Sequence, residues 1–192
     1  MKRVEKDKKD LILDAVFTII SEEGIAAVSA RSVAKEAKVA LGLVNYHFKD
    51  KHNLICAALT KFEEFDLEIL QVKEGGKAQL QLKKALQNVA SNRYLSADYL
   101  SLRMQLWSLA KVHKDFAAIN TTAHQKYLKG LQQLIEAAMP GVGAAEAKRR
   151  AIEIDLIQNG MWLSALLGTS AASIKQAVEL TEEIALGKKK LR

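Results

Sequence analysis

The chain has 192 residues, of which 49% are hydrophobic and 27% charged, and this allows one large domain, or a small and a larger one, with a real core. A formal net charge of +7 suits an anionic partner such as nucleic acid, although many proteins without such a partner are mildly basic. Cys56 is the only cysteine, which excludes an intramolecular disulfide. With no signal-peptide pattern and no apolar run of ~20 residues, we expect a cytoplasmic protein without a membrane partner.

The N-terminal part of the chain predicts three short or medium helices and a longer fourth. Apolar side chains recur at helical spacing over residues 11–20, and Gly24 predicts the end of that helix. Ser29 is typical of the N-cap of a short second helix. A third helix is predicted over residues 41–48, and Asp50 caps a fourth that continues with many apolar residues.

The rest of the chain predicts a helical bundle. The glycine-containing segment 73–77 breaks the pattern, and residues 140–143, which contain the single proline, break it again. Long helices are predicted over 116–139, 144–167 and 171–186. The fold class is therefore all-α with about nine helices.

Residues 29–48 have the proportions of a helix-turn-helix, in which the second helix enters the major groove of DNA. Helical spacing turns Val44 and Phe48 inward and leaves Gly42, Asn45 and Tyr46 on the outer face. Asn pairs with adenine or phosphate, Tyr and His suit phosphate oxygens, and Leu contacts thymine methyl groups. Glycine lets the backbone approach the groove closely. The segment between residues 30 and 55 contains five cationic residues but only two acidic ones.

These residues resemble the DNA-binding signature of TetR-family regulators. The resemblance covers residues 11–54 and implies that Arg31 faces DNA and that Lys51 holds a phosphate. Three positions depart from the family pattern: Lys38 replaces a turn glycine, Ala40 replaces a capping serine, and Asn45 replaces a tyrosine, so we assign the main phosphate contact to Tyr46. The signature is matched by Ser29, Ala34, Ala37, Val39, Tyr46, His47, Phe48, Lys51 and Leu54.

The resemblance implies a transcriptional repressor that binds a palindromic operator as a homodimer and is released by a small-molecule effector. We expect a DNA-binding domain over residues 1–50, and an effector-binding and dimerisation domain over residues 51–192. The residues predicted to meet operator DNA are Ser29, Arg31, Lys38, Leu41, Gly42, Leu43, Asn45, Tyr46, His47 and Lys51.

The C-terminal part resembles the effector domain of the BetI-like, choline-responsive branch of this family, over residues 104–127 and 158–167. The resemblance suggests a quaternary ammonium such as choline, which aromatic faces would hold by cation–π contacts. An apolar or amphipathic effector is the alternative, and each aromatic residue could instead be plain core. The predicted effector pocket consists of Phe62, Phe65, Met104, Trp107, Tyr127 and Trp162.

The last two predicted helices carry apolar stripes that we expect to form a four-helix interface with a second subunit. The alternative is that these stripes are only intrachain core. The residues predicted for this interface are Leu156, Met161, Trp162, Ala165, Leu166, Ile174, Val178 and Thr181.

Two other classes of protein compete with a regulator. An enzyme would need a nucleophile with a base, paired carboxylates or a cofactor loop, and the sequence shows none at usable spacing, so we expect no catalysis and no cofactor. A helical adaptor that has lost DNA binding is the second. Cys56 is interpreted as a small core residue. The four histidines lack metal-ligand spacing with any Cys, Asp or Glu, so we expect no metal site.

Overall fold

The computed structural model describes residues 7–71 and 76–188, and within these ranges the chain forms nine α-helices and no β-strands. The predicted all-α class is therefore confirmed. Of the predicted break at residues 73–77, residues 73–75 lie outside the described ranges. The helices are α1 (Lys8–Glu23), α2 (Ala30–Glu36), α3 (Leu41–Phe48), α4 (Lys51–Leu67), α5 (Ala78–Asn88), α6 (Ala97–Ser108), α7 (Lys114–Ala138), α8 (Ala144–Leu166) and α9 (Ala171–Ala185).

The chain divides into two compact units. The first comprises Met1–Glu63 and Ser101–Asn120, and the second comprises Glu64–Leu100 and Thr121–Arg192. The unit boundaries fall within α4, α6 and α7.

Local capping explains the helix ends in the first unit. Gly24 ends α1 with a φ of 86°, a backbone conformation that glycine adopts without a steric penalty. Ser29 caps α2, because its side chain accepts a hydrogen bond from the Ser32 backbone N–H. The Ser29 backbone N–H in turn donates to the Ser32 hydroxyl. Asp50 caps α4 by accepting from the Asn53 backbone N–H at 2.7 Å.

The core of the second unit is built around the last helices, where α8 packs against α9. The Trp162 indole N–H donates to the Val89 carbonyl at 3.0 Å and is buried. The buried Arg150 guanidinium donates to the Ala185 carbonyl at 3.0 Å. Hydrogen bonds from Arg149 and Arg150 hold the pKa of Glu146 at about 2. The bonds of Trp162 and Arg150 satisfy polar groups that burial would otherwise penalise.

Within the described ranges, none of the helices combines the length and apolar character that crossing a membrane would require.

Candidate nucleic-acid interface

The outer face of α3 is polar and open, and its inner face is anchored. Val44 and Phe48 are buried, as their helical spacing predicts. Tyr46 is 80% exposed, and Asn45 and Gly42 are exposed beside it. A Cβ added at Gly42 would meet nothing within 4 Å, so this face leaves room for a close partner.

The remaining α3 residues flank that face. Leu41 is 38% exposed, and Leu43 and His47 are half-buried. The Tyr46 and His47 rings meet edge to face, with centroids 5.3 Å apart. His47 therefore supports one side of the Tyr46 ring, and the phenol oxygen is carried outward at the C-terminal end of the helix.

The turn before α3 and the first turn of α4 present cations. Lys38 has a positive φ of 55°, in the turn position that the family signature gives to glycine. Ala40 provides no side-chain cap for α3. The Lys51 ammonium lies 3.5 Å from the Ile25 carbonyl, yet Lys51 is exposed. Arg31 is exposed in the first turn of α2, whereas the Ser29 hydroxyl is engaged in capping.

The charge of this region is positive along its exposed surface. The cations that the sequence places between residues 30 and 55 are all exposed, and so are the two acidic residues, Glu36 and Asp50. Such a surface attracts a polyanion and makes the attraction dependent on salt. The exposed cations are Arg31, Lys35, Lys38, Lys49 and Lys51.

The residues predicted to line an effector pocket are distributed over both compact units. Phe62, Met104 and Trp107 belong to the first unit. The buried Arg103 guanidinium lies 5.7 Å from the centroid of Phe62 and 4.7 Å from that of Trp107. The sequence analysis missed Arg103, because a charged residue in an apolar helix pattern gives no sign that it will be stacked on aromatic rings.

The second unit holds the other three predicted pocket residues, Phe65, Tyr127 and Trp162. The Phe65 ring packs against Tyr94 and Tyr99, with centroids 5.5 and 5.9 Å away. The Arg93 guanidinium lies 3.7 Å from the Phe65 centroid. A cation–π group thus exists in this unit, although the sequence analysis named only one of its aromatic rings.

Tyr127 leads to a second polar feature that the sequence did not reveal. Its hydroxyl donates to the Oε1 of Gln158, a side chain that is 1% exposed. The Gln158 Nε2 has no hydrogen-bond partner among the described residues. Whichever way the amide is turned, one end bonds Tyr127 and the other is left over, which is unusual for a buried amide.

A groove on the second unit contains none of the predicted pocket residues. It lies between α5 and α9, and its lining includes Leu80, Leu82, Leu86 and Leu186 together with Lys83. This groove therefore does not coincide with the residues predicted to line the effector pocket.

The predicted dimer residues fall into two groups. Five of them are buried within the protomer: Met161, Trp162, Ile174, Val178 and Thr181. Ala165 is half-buried. Leu156 is 63% exposed and Leu166 is 38% exposed. Both exposed leucines belong to α8.

The fold brings together side chains that sequence spacing kept apart. His52, His113 and Asp115 place their ligand atoms within 4.8 Å of one another, so sequence spacing alone does not decide whether these residues can bind a metal. Cys56 is half-buried rather than core, and its Sγ lies 3.6 Å from His52 Nε2. Burial, followed by the charges of Asp115 and Asp50, raises the pKa of the Cys56 thiol.

Comparison with known proteins relates the N-terminal region to one family and most of the chain to individual regulators. Residues 12–58 match the family model described as bacterial regulatory proteins, tetR family. The HTH-type transcriptional regulator BetI of Serratia proteamaculans is 22% identical over 188 residues, which are 92% of this chain and 89% of that protein.

Solved structures of regulators share the fold. A transcriptional regulator from Pseudomonas aeruginosa PAO1 superposes with a TM-score of 0.80 at 21% identity, covering 95% of this chain and 90% of that one. A regulator from Saccharomonospora viridis, solved in complex with choline, gives 0.75 at 16% identity, covering 93% and 95%. The similarity is thus to regulators rather than to enzymes, and the chain is a DNA-binding transcriptional regulator whose residues 12–58 match the tetR family and which is similar to BetI over most of its length.

Proposed function

We propose that this regulator is a repressor, which binds a palindromic operator as a homodimer and leaves it when a small-molecule effector binds. The observation that carries the DNA-binding part is the geometry of α3. Its exposed face presents Gly42, Asn45 and Tyr46, while Val44 and Phe48 anchor the opposite face in the core. A helix held in this way can enter a major groove without losing its own packing.

The exposed residues divide into those that position the helix and those that read bases. Tyr46, His47 and Lys51 carry groups that suit phosphate oxygens. Arg31 and Asn45 carry groups that pair with base edges, and Leu41 and Leu43 suit thymine methyl groups. Lys38 adds charge at the turn, and the Ser29 hydroxyl acts through its cap on α2. In this proposal residues 1–50 bind DNA and residues 51–192 bind effector and dimerise.

A gel-shift and salt-titration experiment tests the DNA assignment. The probe is duplex DNA from immediately upstream of the chain's own gene. Tyr46→Ala and Lys51→Ala should each weaken binding on all sequences, and Lys51→Ala, which removes a cation, should also lower the slope of log affinity against log salt by about 1. Arg31→Ala should also relax base preference. Lys175→Ala, which removes an exposed lysine on α9, is the matched control and should bind as the native chain does.

Unchanged affinity in the Tyr46→Ala, Lys51→Ala double variant would exclude this docking. Failure of the native chain to bind any upstream DNA would instead favour a helical adaptor that has lost DNA binding.

Dimerisation is supported by an apolar stripe on α8. Ile152, Leu156 and Leu163 are 39%, 63% and 48% exposed, and Leu166 and Leu167 extend the stripe. A Cβ at Gly160, on the same helix, would meet nothing within 4 Å. Exposed leucines repeating at helical spacing are typical of a helix that packs against a partner, and we propose that the partner is a second copy of this chain.

The effector we propose is an amphipathic molecule, with a choline-like quaternary ammonium as the sharpest version. Two features of the second unit support this. Phe65, Tyr94 and Tyr99 form a group of aromatic faces against which the Arg93 cation already stacks, and aromatic faces attract quaternary ammonium in the same way. The spare amide end of Gln158, beside Tyr127, could bond one polar group of a ligand.

Release requires that the effector bind the DNA-free conformation more tightly, because equal affinity for both conformations would shift nothing. Calorimetric titration of choline and betaine aldehyde, with and without operator, measures that difference. The neutral isostere 3,3-dimethylbutanol is the control, since it has the shape of choline without the charge. Choline should bind and weaken operator affinity while the isostere does neither. Absence of heat at millimolar ligand would reject the quaternary ammonium and leave the repressor proposal intact.

A further inference from the structure

Three side chains with metal-ligating atoms meet inside the first compact unit. His52 lies in the first turn of α4, His113 immediately precedes α7, and Asp115 lies in the first turn of α7. His52 Nε2 is 3.1 Å from Asp115 Oδ2, and His113 Nδ1 is 3.4 Å from the same oxygen. The two imidazole rings meet with centroids 4.4 Å apart. Residues from two separate parts of the chain therefore converge on one carboxylate.

The distances suit a shared cation. A zinc ion lies about 2.0–2.2 Å from nitrogen and oxygen ligands in tetrahedral geometry, which places neighbouring ligand atoms about 3.3–3.6 Å apart. The two measured separations of 3.1 and 3.4 Å are close to that range. Small side-chain rotations would therefore place all three ligand atoms around one ion.

The ring orientations are also suitable. The buried Phe116 ring stacks on His52, with centroids 5.0 Å apart and an interplanar angle of 28°. The Asp115 backbone N–H donates to His113 Nδ1 at 3.2 Å, so the lone pair of this nitrogen accepts that hydrogen bond. A metal ion bound at Nδ1 would take this lone pair in place of the backbone N–H. Packing thus holds one ring, and a backbone hydrogen bond orients the other.

The exposure of the cluster leaves an entry path and room for water. The side chains of His52, His113 and Asp115 are 37%, 43% and 50% exposed. Two imidazoles and one carboxylate are ligands that first-row transition metals prefer, whereas Mg²⁺ and Ca²⁺ prefer all-oxygen sites. Cys56 Sγ, 3.6 Å from His52 Nε2, lies next to this set and adds a soft donor at its edge.

We propose that His52, His113 and Asp115 form a binding site for a divalent transition-metal ion of the Zn²⁺ type, with solvent completing the coordination. An occupied site would link the first turn of α4 to the first turn of α7. α4 begins three residues after the last residue of α3, so metal binding would fix the start of the helix that follows the DNA-reading helix.

Metal binding to the free protein tests this proposal without DNA or effector. Tag-free, full-length chain is treated with chelator, dialysed and titrated with Zn²⁺ by calorimetry, and with Co²⁺ by visible absorption. We expect one ion per protomer with micromolar or tighter affinity, Co²⁺ absorption bands typical of a tetrahedral or five-coordinate site, and a melting temperature that rises with metal concentration, because the ion binds the folded state.

The variants are His52→Gln, His113→Gln and Asp115→Asn, each of which should weaken binding at least about tenfold. His124→Gln is the matched control: it removes a histidine whose Nε2 also bonds a carboxylate, that of Asp155 at 2.9 Å. This control should keep native affinity and the native Co²⁺ spectrum. Native affinity in the His52→Gln, His113→Gln double variant, or no binding below millimolar Zn²⁺ in the native chain, would show that the cluster is only a set of ion pairs.

Discussion

Lys38 holds the turn of the helix-turn-helix in a conformation that its side chain disfavours. Its φ is 55°, its N–H bonds the Lys35 carbonyl at 3.2 Å, and the Val39 N–H bonds the Ala34 carbonyl at 3.0 Å. This pair of bonds is a Schellman motif, in which the residue at the Lys38 position is usually glycine. The chain keeps the turn that the family signature expects and carries the steric cost of a Cβ there.

Lys38→Gly should therefore raise the free energy of unfolding. Relief of the left-handed strain contributes about 1 kcal/mol, and the greater freedom of glycine in the unfolded chain reduces the net gain to about 0.5 kcal/mol. Urea denaturation followed by circular dichroism measures it. Lys35→Gly, on the same short helix but with ordinary helical φ, is the control and should lower stability by about 1 kcal/mol. A loss of stability in Lys38→Gly would contradict the strain argument.

At the scale of single elements, local signals predicted helices better than they predicted partners. The bounds predicted for the recognition helix, 41–48, agree with α3 (Leu41–Phe48). The inward pair Val44 and Phe48, and the caps of the neighbouring helices, Ser29 on α2 and Asp50 on α4, are all short-range features. Local signals did not distinguish residues of the intrachain core from residues of a dimer interface. A buried Trp162 and an exposed Leu156 belong to the same apolar pattern of α8.

Contacts between elements distant in sequence could not be predicted from the periodicity or motif spacing of the sequence. His52 is 63 residues from Asp115, so no motif spacing could join them, and only packing of the α4 and α7 starts places them together. The same reason explains why the sequence analysis predicted Phe65 as a pocket residue but not its neighbours Tyr94 and Tyr99. Aromatic residues on three different segments become one group only when the segments are folded.

Lys61 ties α4 to α1, and this contact gives a testable contribution to stability. Its ammonium donates to Asp10 Oδ1 and Asp14 Oδ1, each at 2.9 Å. Burial works against the charged amine, but the hydrogen bonds to these two carboxylates outweigh it, so the pKa of Lys61 rises above its ordinary value of 10.5. The contribution is therefore fully present below pH 10.5 and is lost as pH rises through the higher folded-state pKa.

Lys61→Met should lower the free energy of unfolding by about 1 kcal/mol at neutral pH, a value reduced for the partial exposure of all three groups. The difference from the native chain should stay constant between pH 7 and 9 and shrink in stronger base. Lys83→Met, which removes an exposed lysine 3.5 Å from Glu182, is the control, with an expected change below about 0.5 kcal/mol. A native-like Lys61→Met chain would show that the α1–α4 contact rests on apolar packing alone.

At the scale of the whole molecule, the proposed function gives one chain three activities: reading an operator, pairing with a second copy and responding to a ligand. A single recognition helix reads one half-site, and operators of helix-turn-helix dimers place two half-sites about 34 Å apart or slightly more. Useful affinity therefore depends on how two copies of α3 are spaced. Any ligand that alters this spacing, whether an organic effector or a metal ion near α4, would change operator affinity through the dimer rather than through the DNA contacts themselves.

The α8 stripe is where that dependence can be broken without disturbing the fold. Leu156 and Leu163 are 63% and 48% exposed, so replacing both with glutamate leaves the protomer core intact. In the proposed isologous interface the two like charges would each face their symmetry copy or other apolar side chains. We expect the Leu156→Glu, Leu163→Glu chain to sediment as a monomer at micromolar concentration with an unchanged helical spectrum. Its operator affinity should fall to that of a single half-site. Val112→Glu, at a position that is 70% exposed outside α8, is the control and should remain dimeric. If the chain with both substitutions is still a dimer, the interface lies on another surface, and the apolar side chains of the α8 stripe are exposed without forming an interface.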